Sequence, residues 1–240
     1  MSAMPAIAKE KHVNPPVIVF DLDGTLIDTA PDLAASLNHV LALHDMPTVD
    51  LASFRNAVGR GARHMLERAI AQAGESSDRF DLDAMTDAFV AHYADGMPGQ
   101  SQPFDGLLDS MARFEAAGWR LAVCTNKREA LSLKLLDDLG LIDRFVAICG
   151  ADTFDFRKPD PRHLTETIAR AAGNAGRSIM VGDSATDIDT ARAARIPVVA
   201  VDFGYSETPV TELGPDIVIS SYDALDPELA ERLLSRRGDW

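Results

Sequence analysis

The chain has little of what would mark a membrane-spanning or nucleic-acid-binding protein. Its 240 residues include 2 cysteines, too few for a disulfide framework. Both, Cys124 in RLAVCT and Cys149 in FVAICG, lie inside apolar runs, where a thiol packs as a small hydrophobe. No run approaches the roughly 18 consecutive apolar residues of a membrane span, and the opening MSAMPAIAKEKHVNPP lacks the sustained apolar core of a secretory signal. A cytoplasmic, reducing setting is expected. Positive charge is scarce: 23 Lys and Arg against 37 Asp and Glu leave a formal net charge of −14, which opposes binding to nucleic acid or to an anionic membrane surface. An anionic small substrate would need local cations or a metal to draw it in. Nucleotide cradles are missing too, since neither G-x-x-x-x-G-K-[ST] nor G-x-G-x-x-G occurs. There is no evident internal repeat and no low-complexity tract.

Apolar residues are plentiful, at 46%, and they fall into short runs: PVIVF, RLAVCT, FVAICG, SIMVGD, PVVAVDF and DIVIS. Rich in Val and Ile and bounded by Gly, Asp or Pro, these read as strands buried on both faces. Between them apolar residues recur at helical spacing, as in Leu107, Leu108, Met111 and Phe114, or Leu131, Leu135, Leu136 and Leu139. Strand alternating with helix predicts an α/β fold, a doubly wound parallel sheet of Rossmann-like type. One interval breaks the rhythm. A hundred positions separate Thr25 from Thr125, far more than the roughly dozen residues a crossover needs. Stripes at Leu33, Leu37, Val40 and Leu41, at Met65, Leu66, Ala69 and Ile70, and at Leu82, Met85, Phe89 and Tyr93 predict an inserted helical domain, with a weaker segment around Leu51, Phe54 and Val58. The expected division is a core of residues 1–29 and 99–240 and a helical domain of residues 30–98.

In an open parallel sheet ligands bind beyond the carboxyl ends of the strands. Four such exits carry polar residues: DLDGT at 21–25, TNK at 125–127, RKP at 157–159 and GDSATD at 182–187. Asp21 and Asp23 repel each other, and the usual compensation is a bound cation or a shared proton. A hard divalent ion such as Mg²⁺ prefers oxygen ligands and would serve. Asp183 and Asp187 are spaced so that both can face the same point if a helix opens there, and carboxylates from two exits can then converge on one metal. A calcium loop fails on spacing, because Leu26 stands at its sixth position and Asp32 at its twelfth.

DLDGT, the Thr that ends RLAVCT, Lys158 in RKPDP and GDSATD together resemble the four motifs of the haloacid dehalogenase superfamily, in their usual order. The resemblance covers nearly the whole chain, and the helical insertion looks like that superfamily's cap. VGRGARHMLERA, FDGLLDSMARFEAAG and TNK are most similar to phosphoglycolate phosphatase-like members. The resemblance implies a Mg²⁺-dependent phosphatase acting on a small phosphorylated metabolite, with phosphoglycolate the expected substrate, through an aspartyl phosphate. It implies Asp21 as nucleophile and metal ligand, and Asp23 as general acid and base, with its main-chain carbonyl on the metal. Asp183 would complete the protein ligands while Asp187 orients a water behind them. Lys158 would neutralise the phosphoryl group, and Thr125 and Asn126 would donate hydrogen bonds to it. Arg60 and Arg63 are candidates for a cap loop that reaches the substrate's far end. The alternatives are a phosphohexomutase resembling β-phosphoglucomutase, a pyrophosphatase or another small-metabolite phosphatase. A monomer or homodimer is expected, with no nucleic-acid or membrane partner. His39, His44, His64, His92 and His163 show no metal-ligand spacing and are expected to be surface or partly packed residues.

Overall fold

The computed structural model describes residues 14–54, 58 and 61–236. Six parallel strands form one sheet: β1 (Val17–Phe20), β4 (Arg120–Cys124), β5 (Ala147–Cys149), β6 (Ser178–Gly182), β7 (Val198–Val201) and β8 (Ile217–Ile219), in the spatial order β5-β4-β1-β6-β7-β8. The strands read as unbroken apolar runs because both faces are covered. Ile18, Phe20, Leu121, Val123, Ile179, Val181, Val199 and Val201 point into one layer, with α5 (Leu107–Ala116), α6 (Glu129–Asp138) and α9 (Pro227–Ser235). Val17, Val19, Ala122, Cys124, Met180, Val198 and Ala200 point into the other, with α7 (Pro161–Arg170) and α8 (Ala185–Ala193). Each fully buried Val, Ile or Phe adds about 1.5–3 kcal/mol relative to leaving it in water, so the period-two alternation fixes the strand register.

Helix starts follow from local chemistry. Asp160 and Asp226 cap α7 and α9 through their side chains, and a proline occupies the first turn of each. Ser184 and Asp187 cap α8 reciprocally.

Among the described residues four α-helices, α1 (Ala30–Leu43), α2 (Leu51–Phe54), α3 (Ala62–Gln72) and α4 (Leu82–Gly96), lie between a two-residue strand β2 (Ile27–Asp28) and its antiparallel partner β3 (Gln102–Pro103). Leu37, Leu41, Met65, Leu66, Ile70, Met85 and Phe89 form their shared apolar interior. The entry and exit of this insertion are tied together. Asp32 accepts from the Gln100 amide at 2.9 Å, the Ser101 amide at 2.7 Å and the Ser101 hydroxyl at 2.6 Å. Gly99 lies at φ +56 directly against that carboxylate, where a Cβ would collide with it.

The chain runs from β1 toward β4 and β5, then returns to β6 on the other side of β1. The crevice for a ligand therefore opens at the carboxyl ends of β1 and β6. No helix among the described residues is long and apolar enough to cross a membrane.

Candidate active site

Asp21 follows β1 directly, its amide donating to Val181 O at 2.9 Å, so it stands at the β1/β6 divide. The next residues fold into a tight loop in which Leu26 and Ile27 donate to Leu22 O, each at 3.0 Å. Gly24 makes that loop possible. Its φ is +80, and a Cβ there would lie 2.5 Å from Asp183 Oδ2 and 2.8 Å from the Tyr205 ring.

The loop brings the two acidic exits together. Carboxylate oxygens of Asp21, Asp183 and Asp187 lie within 4.8 Å of one another. Asp21 Oδ1 accepts from the Leu22 amide at 2.7 Å and pairs with Lys158 Nζ at 3.0 Å. Its other oxygen has no partner among the described residues, and the residue lines a cavity of about 650 Å³. Asp183 is buried; Oδ1 accepts from Thr25 Oγ1 at 3.0 Å and Oδ2 from the Tyr205 amide at 2.7 Å. Burial raises the pKa of Asp21 to about 6 despite the attraction of Lys158. Burial also holds Asp183 well above the usual carboxylate range, reinforced by Asp187 and Asp21. The cluster is thus short of positive charge. A divalent cation with oxygen ligands fits both the donor set and this deficit.

Asp187 lies beside Asp21 and Asp183 and has further partners of its own. It is fully buried, with Oδ1 accepting from Lys158 Nζ at 2.6 Å and Oδ2 from the Ser184 hydroxyl at 2.7 Å and two main-chain amides. Its first task is to hold Lys158 and the start of α8. Lys158 is itself buried between Asp21 and Asp187, and those two charges raise its pKa against the opposing effect of burial.

One N–H of Asn126 Nδ2 donates to Lys158 O at 3.0 Å and clamps two loops together, the second N–H belongs to a residue that lines the cavity, and Oδ1 is buried without a partner among the described residues. Turning the amide over would set two acceptors face to face. Thr125 keeps its expected position. It is buried at the cavity wall, and Oγ1 accepts from the Lys127 amide at 3.2 Å, leaving its proton to donate. Arg63 reaches the cavity from α3, but its guanidinium is paired with Glu67 at 3.3 Å and with Asp83. Arg60 lies outside the described residues.

Two residues given no catalytic or binding part in the sequence analysis lie at the site. Lys127 is buried, pairs with Asp23 Oδ1 at 2.9 Å, donates to Tyr93 Oη at 2.9 Å and lies 4.3 Å from the centre of the Tyr93 ring. Thr29, at the N-terminus of α1, makes no capping bond; its hydroxyl donates to Asp23 Oδ1 at 2.7 Å. Asp23 is therefore fastened to α1 through Thr29 and to α4 through Lys127 and Tyr93. Tyr205 adds a second tie, since its hydroxyl donates to Asp28 at 2.6 Å and accepts from the Ala30 amide at 3.0 Å while its own amide holds Asp183. Its signal in the sequence is confined to a lone GYS after PVVAVDF.

His163, expected at the surface or partly packed, is fully buried and supports Lys158: its Nδ1 accepts the Lys158 main-chain amide at 3.1 Å. Burial, then the Lys158 charge, lowers its pKa to about 4. The folded protein keeps this ring neutral while the unfolded chain takes up a proton below about 6.5, so stability falls as pH drops through that window. Between pH 6.5 and 4 the wild type is expected to lose on the order of 3 kcal/mol more than His163→Gln, read by urea unfolding at both pH values. A difference that stays constant across the window would remove His163 from this role.

Comparison with known proteins agrees with this geometry. A family model described as haloacid dehalogenase-like hydrolase matches residues 18–201. The chain is 59% identical over 223 residues to a phosphoglycolate phosphatase of Mesorhizobium japonicum, covering 93% of this chain and 98% of that protein. It is 47% identical over 221 residues to one of Agrobacterium fabrum, covering 92% and 95%. Among solved structures, a predicted phosphoglycolate phosphatase from Haemophilus somnus superposes with a TM-score of 0.79 at 26% identity, over 88% of this chain and 96% of that one.

Proposed function

Because the chain belongs to the haloacid dehalogenase-like hydrolases and is a phosphoric monoester hydrolase among them, we propose that it hydrolyses phosphoglycolate in the cytoplasm through a covalent phosphate on Asp21. The observation that carries this reading is Asp21 itself, which lines the cavity with one oxygen held by Lys158 and the Leu22 amide and the other without a partner among the described residues. Asp21, Asp183 and the main-chain carbonyl of Asp23 would hold Mg²⁺, with Asp187 beside them; the bound ion supplies Lewis acidity and cancels repulsion between two anions. We take residues 30–98 as a lid over a catalytic unit of residues 1–29 and 99–240.

The free oxygen of Asp21 attacks phosphorus, a new P–O bond forms and the ester P–O bond breaks. Asp23 gives its proton to the departing alkoxide. In the second half Asp23 takes a proton from water, the water oxygen bonds to phosphorus, and the bond to Asp21 breaks to release inorganic phosphate. Lys158 holds Asp21 in place and offsets charge on the phosphoryl oxygens; the Thr125 hydroxyl donates to one of them. The lid excludes bulk water and large substrates.

Phosphate release from phosphoglycolate, stimulated by Mg²⁺ and abolished by a chelator, is the expected result. Mg²⁺ at about 100 times its dissociation constant should also stabilise the fold by about 2.7 kcal/mol, seen as a higher Tm. Turnover unaffected by the chelator would overturn the metal assignment. Isomerisation of a sugar phosphate without phosphate release would overturn hydrolysis.

A further inference from the structure

The cavity has more cations than the chemistry at Asp21 uses. Lys158 is engaged by Asp21 and Asp187, Lys127 by Asp23 and Tyr93, and Arg63 by Glu67 and Asp83. Arg128 and Arg157 also line it, and neither guanidinium makes a hydrogen bond or ion pair among the described residues. Several arginines elsewhere are engaged: Arg68 pairs with Glu207, Arg144 with Glu115, Arg177 with Glu231 and Arg192 with Asp189. Both are exposed to solvent where they line the cavity; in a chain of net charge −14, where carboxylates outnumber cations, two guanidiniums left without a protein carboxylate on one cavity can take an anion from outside the protein.

Their placement says where that anion would lie. Arg128 follows Lys127 and Arg157 precedes Lys158, so each stands one residue from a lysine at the reacting end. The two loops that carry them are fixed to each other. Asn126 Nδ2 bonds Lys158 O at 3.0 Å, the Ala151 amide bonds Lys127 O at 2.9 Å, and the Glu129 amide bonds Asp152 Oδ1 at 2.7 Å. Gly150 lies so close beneath the Lys127–Glu129 backbone that a Cβ there would collide with it. The two arginines thus stand on one braced wall, with the phosphoryl position at its inner end.

We propose that Arg128 and Arg157 form the subsite for a carboxylate at the far end of the substrate's leaving group. The planar fork of a guanidinium matches a carboxylate, and two on one wall can hold it from both sides. This rests on the reading that Asp21 attacks the phosphate of a small phosphomonoester. It moves recognition of the acid from the lid, where Arg63 is already paired, to the core loops.

The test compares 2-phosphoglycolate with ethyl phosphate, which has a methyl group in place of the carboxylate, on the full chain and on Arg128→Gln, Arg157→Gln and the double variant. Each single variant is expected to lower kcat/KM for phosphoglycolate by ~10- to 100-fold, mostly through KM, with a loss at least about tenfold smaller for ethyl phosphate. Lysine at either position should restore only part of the loss, and Tm should not move. Equal losses on both substrates would overturn the subsite and assign the arginines to pairing with lid carboxylates such as Asp83 or Asp87. No loss on either would leave them as solvated surface cations and equally overturn it. If the double variant keeps a wild-type preference for phosphoglycolate, the subsite falls and the proposed substrate stands; a wild type with no preference for phosphoglycolate removes both.

Discussion

Asp21→Asn is expected to reduce phosphate release by ~10⁴-fold or more while leaving the fold intact or firmer. The amide is the same size as the carboxylate and can still accept from the Leu22 amide and Lys158, so position is kept and nucleophilicity is lost. Stability should not fall with activity. Burial raises the pKa of Asp21 to about 6, with Asp187 adding to the repulsion, so the ionised side chain is held at a cost to the fold. A neutral amide relieves that cost, and Lys158 retains Asp187 at 2.6 Å. Stopped-assay labelling should give an acid-stable, hydroxylamine-sensitive phosphoprotein with the wild type and none with the variant. Activity near the wild-type level would end the covalent mechanism. A collapse of Tm alongside activity would show that Asp21 is held for structure instead.

The features of the site that were legible in the sequence are those with local signatures. Strands buried on both faces appear as continuous apolar runs, so a polar residue at the exit stands out; Asp21, Thr125 and Asp183 stand out in this way, and they directly follow the carboxyl ends of β1, β4 and β6. The insertion was legible as a change of period, from runs of Val and Ile to stripes at helical spacing. What escaped depends on residues distant in the chain. Lys127 is buried because Tyr93, 34 positions earlier, and Asp23, 104 positions earlier, converge on it; nothing in TNK says so. Asn126 has a second partner that its neighbours in sequence do not announce, since a carbonyl 32 residues away takes one of its two amide hydrogens. Asp187 has the spacing of a ligand and also the third position of a capping box, and only the position of Lys158 reveals that it serves the lysine. Tyr205 carries no local mark, since its partners Asp28, Ala30 and Asp183 come from two distant segments.

Asp23→Asn is expected to lower turnover of alkyl phosphates by ~10²- to 10⁴-fold, the range for losing a positioned general acid and base. The size of the loss should depend on the leaving group, because an alkoxide needs a proton when it departs and a nitrophenolate does not. With p-nitrophenyl phosphate the first half-reaction should therefore survive. The second half should still be slow, since water attacking the aspartyl phosphate needs the same carboxylate to take its proton. The expected signature is a burst of nitrophenolate equal to the enzyme present, followed by a slow steady state. Asn keeps an oxygen for the Thr29 hydroxyl, which lies 2.7 Å from Oδ1, but leaves buried Lys127 without its anion. Removing one member of such a pair costs about 3–5 kcal/mol where burial is complete, and less here because the Asp23 side chain is 16% exposed. Asp23→Asn with Lys127→Met should therefore recover Tm without recovering turnover. If the double variant regains activity together with stability, or if alkyl and aryl phosphates lose equally and no burst forms, Asp23 is a structural partner of Lys127 and the proton is carried by another group.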